Sequence, residues 1–330
     1  MIRIAILVAA ALVFMVFPVI LFRLEAPPRW RARLGFISLV GMVATVAVLL
    51  AVVLMPEVLA MSSVHQIWQM CSMAFHAIGA HPLGRVQSIA AAIALGVILG
   101  RFWWALVRGI RTSRRARIKG EEPTWRLETG QPVFVVPLDH PEAYAVGSYR
   151  GQVVVSRGIL DILDEREREA VLFHEEGHLR AHHQPMLLVS RAAAAALAPI
   201  PTARIAMGLV EQAVEEAADE YAAVRVGCAA TVASGVSKAA LAGLRSPLGA
   251  VALGPGPDVP ARVRRLLHPP SVPRWMPAAC MLAAAVLLSL IALTQALAGV
   301  AVLAAVHHVI AFGSATLCPL MRPPGATLVG

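Results

Sequence analysis

Residues 173–178 read Phe173-His174-Glu175-Glu176-Gly177-His178. In an α-helix, residues four apart share a face, so His174 and His178 can turn two imidazole nitrogens toward one ion. Glu175 stands next to the first histidine, where a carboxylate can take a proton from a water acidified by that ion. The flanking sequence supports a helix here. Asp164 with Glu167 three residues later makes a capping-box start, Ala170, Val171 and Phe173 are its apolar positions, and Pro185 limits continuation beyond His183. A solvated surface helix rich in His and Glu is the plain alternative, and a third ligand elsewhere in the chain separates the two.

A tetrahedral catalytic zinc takes three protein ligands and keeps one position for water. A third histidine six residues after the second would serve, but that position is Gln184. A glutamate from a later helix is the other solution. Glu215-Glu216-Ala217-Ala218-Asp219 supplies one, on a segment from about 207 to 226 whose apolar positions are Val210, Val214, Tyr221 and Val224. Glu215 is the expected third ligand, with Glu211 and Glu216 open as alternatives. Four residues on, Asp219 can hold a ligating imidazole in place, while Ala217 and Ala218 let two helices approach.

In combination, His-Glu-x-x-His, an intervening apolar helix, and Glu-x-x-x-Asp followed by small residues resemble the BlaR/MecR-type membrane zinc metallopeptidases. More distantly the chain is similar to the HtpX and CAAX-prenyl-protease group, which shares the Glu-x-x-x-Asp arrangement. Gln152 to Asp161 also resembles the strand and short helix that precede the zinc helix in BlaR/MecR-type proteins. The resemblance covers most of the chain and is strongest from about 132 to 227. It implies a gluzincin with Zn2+ as cofactor, an endopeptidase that cuts a cytoplasmic regulator or itself in signal transduction. HtpX-like quality control of membrane proteins is the second reading. A non-catalytic receptor or assembly protein with structural zinc is the third, and a fourth protein ligand such as His182 would favour it. The best-known relatives carry a penicillin-recognising domain after the fourth span, whereas here about two dozen residues follow it without a Ser-x-x-Lys motif, so β-lactam sensing is not expected.

Composition points to a membrane: 58% of the 330 residues are hydrophobic and 15% are charged. Apolar blocks at 4–22, 36–55 and 87–107, and a fourth from Met276 to Val306, are each long enough to span a bilayer core. The first could be a signal peptide behind Arg3, but Pro18 lies inside it and no small-x-small cleavage site follows, so a retained span is expected. The fold expected is therefore a mainly α integral membrane protein. Three spans occupy 1–110, an α+β zincin-like peptidase domain with a Pro-rich linker occupies 111–275, and the fourth span with a short external tail occupies 276–330. Arg23, Arg29, Arg31 and Arg33, the run from Arg108 to Lys119, and Arg262, Arg264, Arg265 and Arg274 all fall on one side of these spans, which puts the amino terminus outside and the peptidase domain in the cytoplasm. These clusters also account for the net charge of +9 through contact with anionic lipid, without a nucleic-acid role. The partners expected are the bilayer and a protein substrate; a homodimer stays open.

Within the domain, Val133 to Val136 and Val153 to Val155 read as short strands. An edge strand beside a metal helix can hold a substrate backbone, and Val153, Val154 and Val155 are the expected place, with an ordinary internal strand as the alternative. Residues 186–197 are too short to cross a bilayer and read as a helix that is buried or lies on the membrane surface. His182, one turn after His178, and His183 beside it are candidates to bind substrate or steady an oxyanion. Residues 247–273 form a linker around a short basic helix, where Arg264-Arg265 is a headgroup anchor or, by the BlaR/MecR-type resemblance, a self-cleavage region. None of Cys71, Cys228, Cys280 and Cys318 reads as a metal ligand, and only Cys71 and Cys318 could meet outside.

Overall fold

A computed structural model describes residues 2–23, 26–61, 82–120, 122–147, 151–243 and 258–296. Helices α1 (Ile2–Arg23), α2 (Pro28–Met61) and α3 (Pro82–Arg115) open the chain. Three described segments are long and apolar enough to cross a membrane: Pro28–Val52, Val86–Arg115 and, near the end, Met276–Ala296. The first apolar block is helical too, with a described apolar stretch, Ala9–Ile20, shorter than these three. The expected continuation of the last span to Val306, and both Cys71 and Cys318, lie outside the described residues. The chain divides into two packing units, one of Met1–Val13, Gly41–Gly100 and Leu287–Gly330, the other of Phe14–Val40 and Arg101–Val286. The candidate site lies wholly in the second.

That unit carries a four-stranded sheet of β1 (Trp125–Arg126), β2 (Pro132–Val136), β3 (Ala143–Val146) and β4 (Gln152–Ser156), in the order β1-β2-β4-β3. β4 runs parallel to β2, with Val133 opposite Val153, and antiparallel to β3, with Ala145 opposite Val153. This corrects the expectation of an edge at Val153, Val154 and Val155: β4 is internal and all five of its residues are buried. The unbroken valine run is what a strand covered on both faces requires, whereas a half-exposed strand alternates. Among the described strands β3 forms the edge on that side.

Ser156 ends β4 and starts helix α4 (Arg157–Ile162), its Oγ accepting from the backbone N–H of Ile159 at 3.1 Å and of Glu142 at 2.8 Å. Helix α5 (Glu165–Arg180) then begins at the capping box anticipated above: Asp164 Oδ1 accepts from the Glu167 N–H and Glu167 Oε2 from the Asp164 N–H, both at 2.9 Å. The helix is buried on two sides. Leu179 joins Val133, Val153, Val155, Ile159 and Leu163 against the sheet, while Ala170 and Phe173 pack with Ala222, Val232, Ala233 and Leu266. Helix α5 stops at Ala181 because His182 takes a left-handed conformation, with φ of 55°. Pro185 falls in the first turn of α6 (His183–Ala196), where its missing N–H is harmless. This is the short apolar helix expected at 186–197, and it buries Leu187, Ala192, Ala193 and Ala196. Helices α7 (Pro201–Val226), α8 (Ala229–Gly243), α9 (Val259–Leu267) and α10 (Met276–Ala296) complete the described chain.

Candidate metal centre

Helices α5 and α7 approach closely because small residues face each other. A Cβ on Gly177 would lie 3.2 Å from Tyr221 Cδ1 and 3.4 Å from Ala218 Cα, already tight. That proximity brings Glu215 to the two histidines. His174 Nε2 and His178 Nε2 are 3.1 Å apart, Glu215 Oε2 lies 3.4 Å from the first, and Glu215 Oε1 lies 3.6 Å from the second. Ligand atoms about 2.0–2.1 Å from a tetrahedral ion stand roughly 3.3 Å from one another, so the two histidine nitrogens have about the separation that zinc needs, and with one oxygen taken from Glu215 the three donor atoms lie within 4.8 Å of one another. Of the carboxylates weighed as third ligand, Glu211 is paired with Arg191 at 3.1 Å, and Glu216 with Arg31 at 2.9 Å and Arg265 at 3.3 Å. Glu215 is the one that faces the histidines.

Both imidazoles have partners on their far nitrogens. Asp219 Oδ1 is 2.9 Å from His174 Nδ1, and His183 Nδ1 is 3.1 Å from His178 Nδ1. His183 is buried at 4% exposure, while His182 is exposed, so of the two histidines considered after the motif it is the second that reaches the site. The left-handed turn at His182 breaks the helical register on which His182 had been placed one turn above His178. A second contributor comes from α9. Arg262 grips Asp219 with two bonds, Nε to Oδ2 and Nη2 to Oδ1, each 2.7 Å, and its Nη1 lies 3.2 Å from Glu215 Oε2. Sequence reasoning had taken this basic helix as a lipid anchor. The clue available was the i, i+4 spacing of Arg262 and Leu266, the two buried positions of α9. Arg264 and Arg265 sit in that same helix, with Arg265 paired to Glu216 and Glu220. The region weighed for self-cleavage is thus wound into a docked helix, and would have to unwind before it could be cut.

Burial and charge set the protons. Burial pushes Glu175 up to about 7, against the opposing charge of His174 and a backbone hydrogen bond from Ala145. Burial also takes His178 down to about 4 and His183 down to about 3. Burial would lower His174 too, but Asp219 and Glu215 outweigh it and push that imidazole up to about 10. Glu215, although buried, is held well below the usual carboxylate range by His178 and His174. The two carboxylates on either side of His174 thus favour its protonated form. The edge strand runs past these groups, with the Ala145 carbonyl accepting from Gln184 Nε2 at 3.0 Å.

Residues 124–269 match the family model described as Peptidase family M48. The M48-like segment contains the sheet, α5, α7 and Arg262, and covers somewhat less than half of the 330 residues. A stretch of 63 residues is 41% identical to the Protease HtpX homolog of Aquifex aeolicus, covering 18% of this chain and 21% of that protein. Another of 58 residues is 43% identical to the Protease HtpX homolog of Thermoplasma acidophilum, over 17% of this chain and 18% of that protein. A third, of 69 residues, is 38% identical to Protease HtpX homolog 1 of Sulfolobus acidocaldarius, over 20% of each. The chain thus spans about a fifth of the length of the curated relatives it matches. These likenesses fall in the HtpX group, the more distant of the two resemblances drawn from the motif. No solved structure matches.

Proposed function

We propose that this chain is a membrane-embedded zinc endopeptidase of the M48 type, with His174, His178 and Glu215 as its metal ligands and Glu175 as its general base. The observation that carries the reading is the convergence of His174, His178 and Glu215, whose donor atoms lie within 4.8 Å of one another, with a buried carboxylate next to His174 in sequence. When bound, zinc supplies the Lewis acidity that polarises a carbonyl and acidifies water. Glu175 takes the proton of the attacking water as the new C–O bond forms, and gives it to the amine nitrogen as the C–N bond breaks. A carboxylate whose pKa lies near 7 suits both halves of that task. Asp219 and His183 hold the two imidazole rings by their far nitrogens.

The substrate is a polypeptide held in extended form. The role of edge strand passes from β4 to β3, where a substrate backbone would displace the bonds that Ala145 makes to Glu175 and Gln184. The likeness to HtpX homologs favours turnover of membrane proteins over cleavage of a signalling regulator. A structural-zinc receptor would need a fourth protein ligand, and the candidate for it, His182, is outside the one group of metal donors found among the described residues. The arginine clusters support a catalytic domain on the cytoplasmic side.

Glu175→Gln in the full chain tests the assignment. The variant is expected to keep about one zinc and its fold while proteolysis falls on the order of 10² to 10⁴; His174→Ala and His178→Ala are expected to lose most of the metal. Cleavage by Glu175→Gln at the wild-type rate would remove Glu175 from the mechanism. Absence of cleavage by zinc-loaded wild type in membranes would put the structural-zinc reading ahead. Mass spectrometry of new amino termini in cells carrying wild type or Glu175→Ala would name the substrate.

A further inference from the structure

Two buried or half-buried carboxylates four residues apart on α7, Glu215 and Asp219, face the same histidine. Arg262 lies across both. Its two-pronged grip fixes the plane of Asp219, and its remaining nitrogen takes Glu215 at Oε2. No pairing with the histidines makes the same choice between oxygens, because Oε2 is 3.4 Å from His174 Nε2 and Oε1 is 3.6 Å from His178 Nε2. A guanidinium offsets the charge of the buried Asp219 but also repels a cation, so what it adds to metal binding is geometric. A carboxylate that offers a metal both oxygens adds a donor at the cost of the position water needs.

We propose that Arg262 is the positioning residue of this site: by engaging Oε2 it limits Glu215 to one donor oxygen, and by gripping Asp219 it keeps that carboxylate turned to His174, so that an open place remains for water. The inference rests on the metal-site reading given above. Lysine cannot replace the arginine, since a point charge has no fork to hold one carboxylate by two bonds and reach a second. Arg262 arrives on a helix 43 residues beyond Asp219, so the donor count of the site depends on a segment outside the two helices that carry its ligands.

The test uses the full chain in detergent, loaded with Zn2+ or with Co2+, whose visible absorption is strong in four-coordinate sites and weak when a fifth donor binds. Wild type is expected to give the four-coordinate spectrum. Arg262→Ala and Arg262→Lys, checked for fold by circular dichroism, are expected to give the weaker spectrum and, because Asp219 is no longer held toward His174, a zinc affinity reduced roughly 10- to 100-fold by chelator competition. Should those variants fail to fold, the paired change Arg262→Met with Asp219→Asn removes both buried charges together and is expected to show the same weakened cobalt spectrum. An unchanged spectrum and a zinc affinity within about twofold of wild type in any folded variant overturns the role of Arg262. A five-coordinate spectrum in wild type overturns it as well. Wild type that binds neither metal overturns the site itself, so failure of the inference and failure of the reading beneath it give different results.

Discussion

Metal binding at His174 and His178 should be coupled to proton release. His174, at about 10, carries its proton at neutral pH, while His178, at about 4, does not, and Glu215 is ionised. Zinc binds imidazole only in its neutral form, so the ion must expel that proton. Titrations with zinc at pH 7 in buffers of different ionisation heats are therefore expected to report about one proton released per zinc, with a further fraction from Glu175, whose pKa of about 7 falls when a cation arrives. Asp219→Asn removes one of the two carboxylates that raise His174 and should lower the count. Zinc binding without proton release would contradict this charge pattern. At this scale the sequence was read well wherever ligand and partner share a helix turn, as His174 with His178 and Glu215 with Asp219. The site role of Arg262 was not visible, and His183 was named only as a substrate or oxyanion candidate rather than as the partner of His178, for two different reasons. The first comes from a helix remote in sequence, and the second is aimed by one left-handed residue.

At the level of elements, helix α5 owes its position to its first turn. Glu167, buried at 3% exposure, closes the capping box and also accepts from Lys238 Nζ and Ser234 Oγ at 2.6 Å, tying α5 to α8. Burial raises its pKa, but Lys238, Ser234 and the Asp164 backbone outweigh this and leave it below the ordinary 4.5. A lowered folded pKa contributes stability above the unfolded value and loses it as pH falls through the folded one. Glu167→Ala is expected to cost about 1–3 kcal/mol near neutrality. Thermal melts of wild type and Glu167→Gln should converge as the pH drops below about 4.5, and a gap that stays constant down to pH 3 (on the order of one and a half units lower) would show that the charge contributes nothing. The capping box was readable from Asp164 and Glu167 alone, being local. Strand order was not, because Val153-Val154-Val155 identifies a strand but only its pairing with both β2 and β3 makes it internal.

For the whole molecule, three of the four apolar runs fall in described helices long enough to cross a membrane, and the structure extends two of them: α2 begins at Pro28 and α3 continues to Arg115, beyond the runs at 36–55 and 87–107. Hydropathy is blind to these extensions because they carry arginines. If the arginine clusters set the orientation, a reporter fused at Gly120 will behave as cytoplasmic and one at Ala80, outside the described residues, as external; the opposite pattern would move the catalytic domain across the membrane. The arginine at the start of α2 also has an inward role. Arg31, with a side chain only 8% exposed, is bonded at 2.9 Å to Glu216, the neighbour of the third donor, and Gly35 passes so near that a Cβ there would reach 2.8 Å from Val210 Cγ2. The unit that holds the candidate site is thus discontinuous in sequence, completed by a piece of chain, Phe14–Val40, that sixty residues separate from the rest of it. Cutting out 101–286 to obtain a soluble enzyme would strip a cation from a buried acid and uncover an apolar ridge, so the fragment should aggregate on gel filtration, and returning residues 14–40 as a tethered or separate peptide should rescue it.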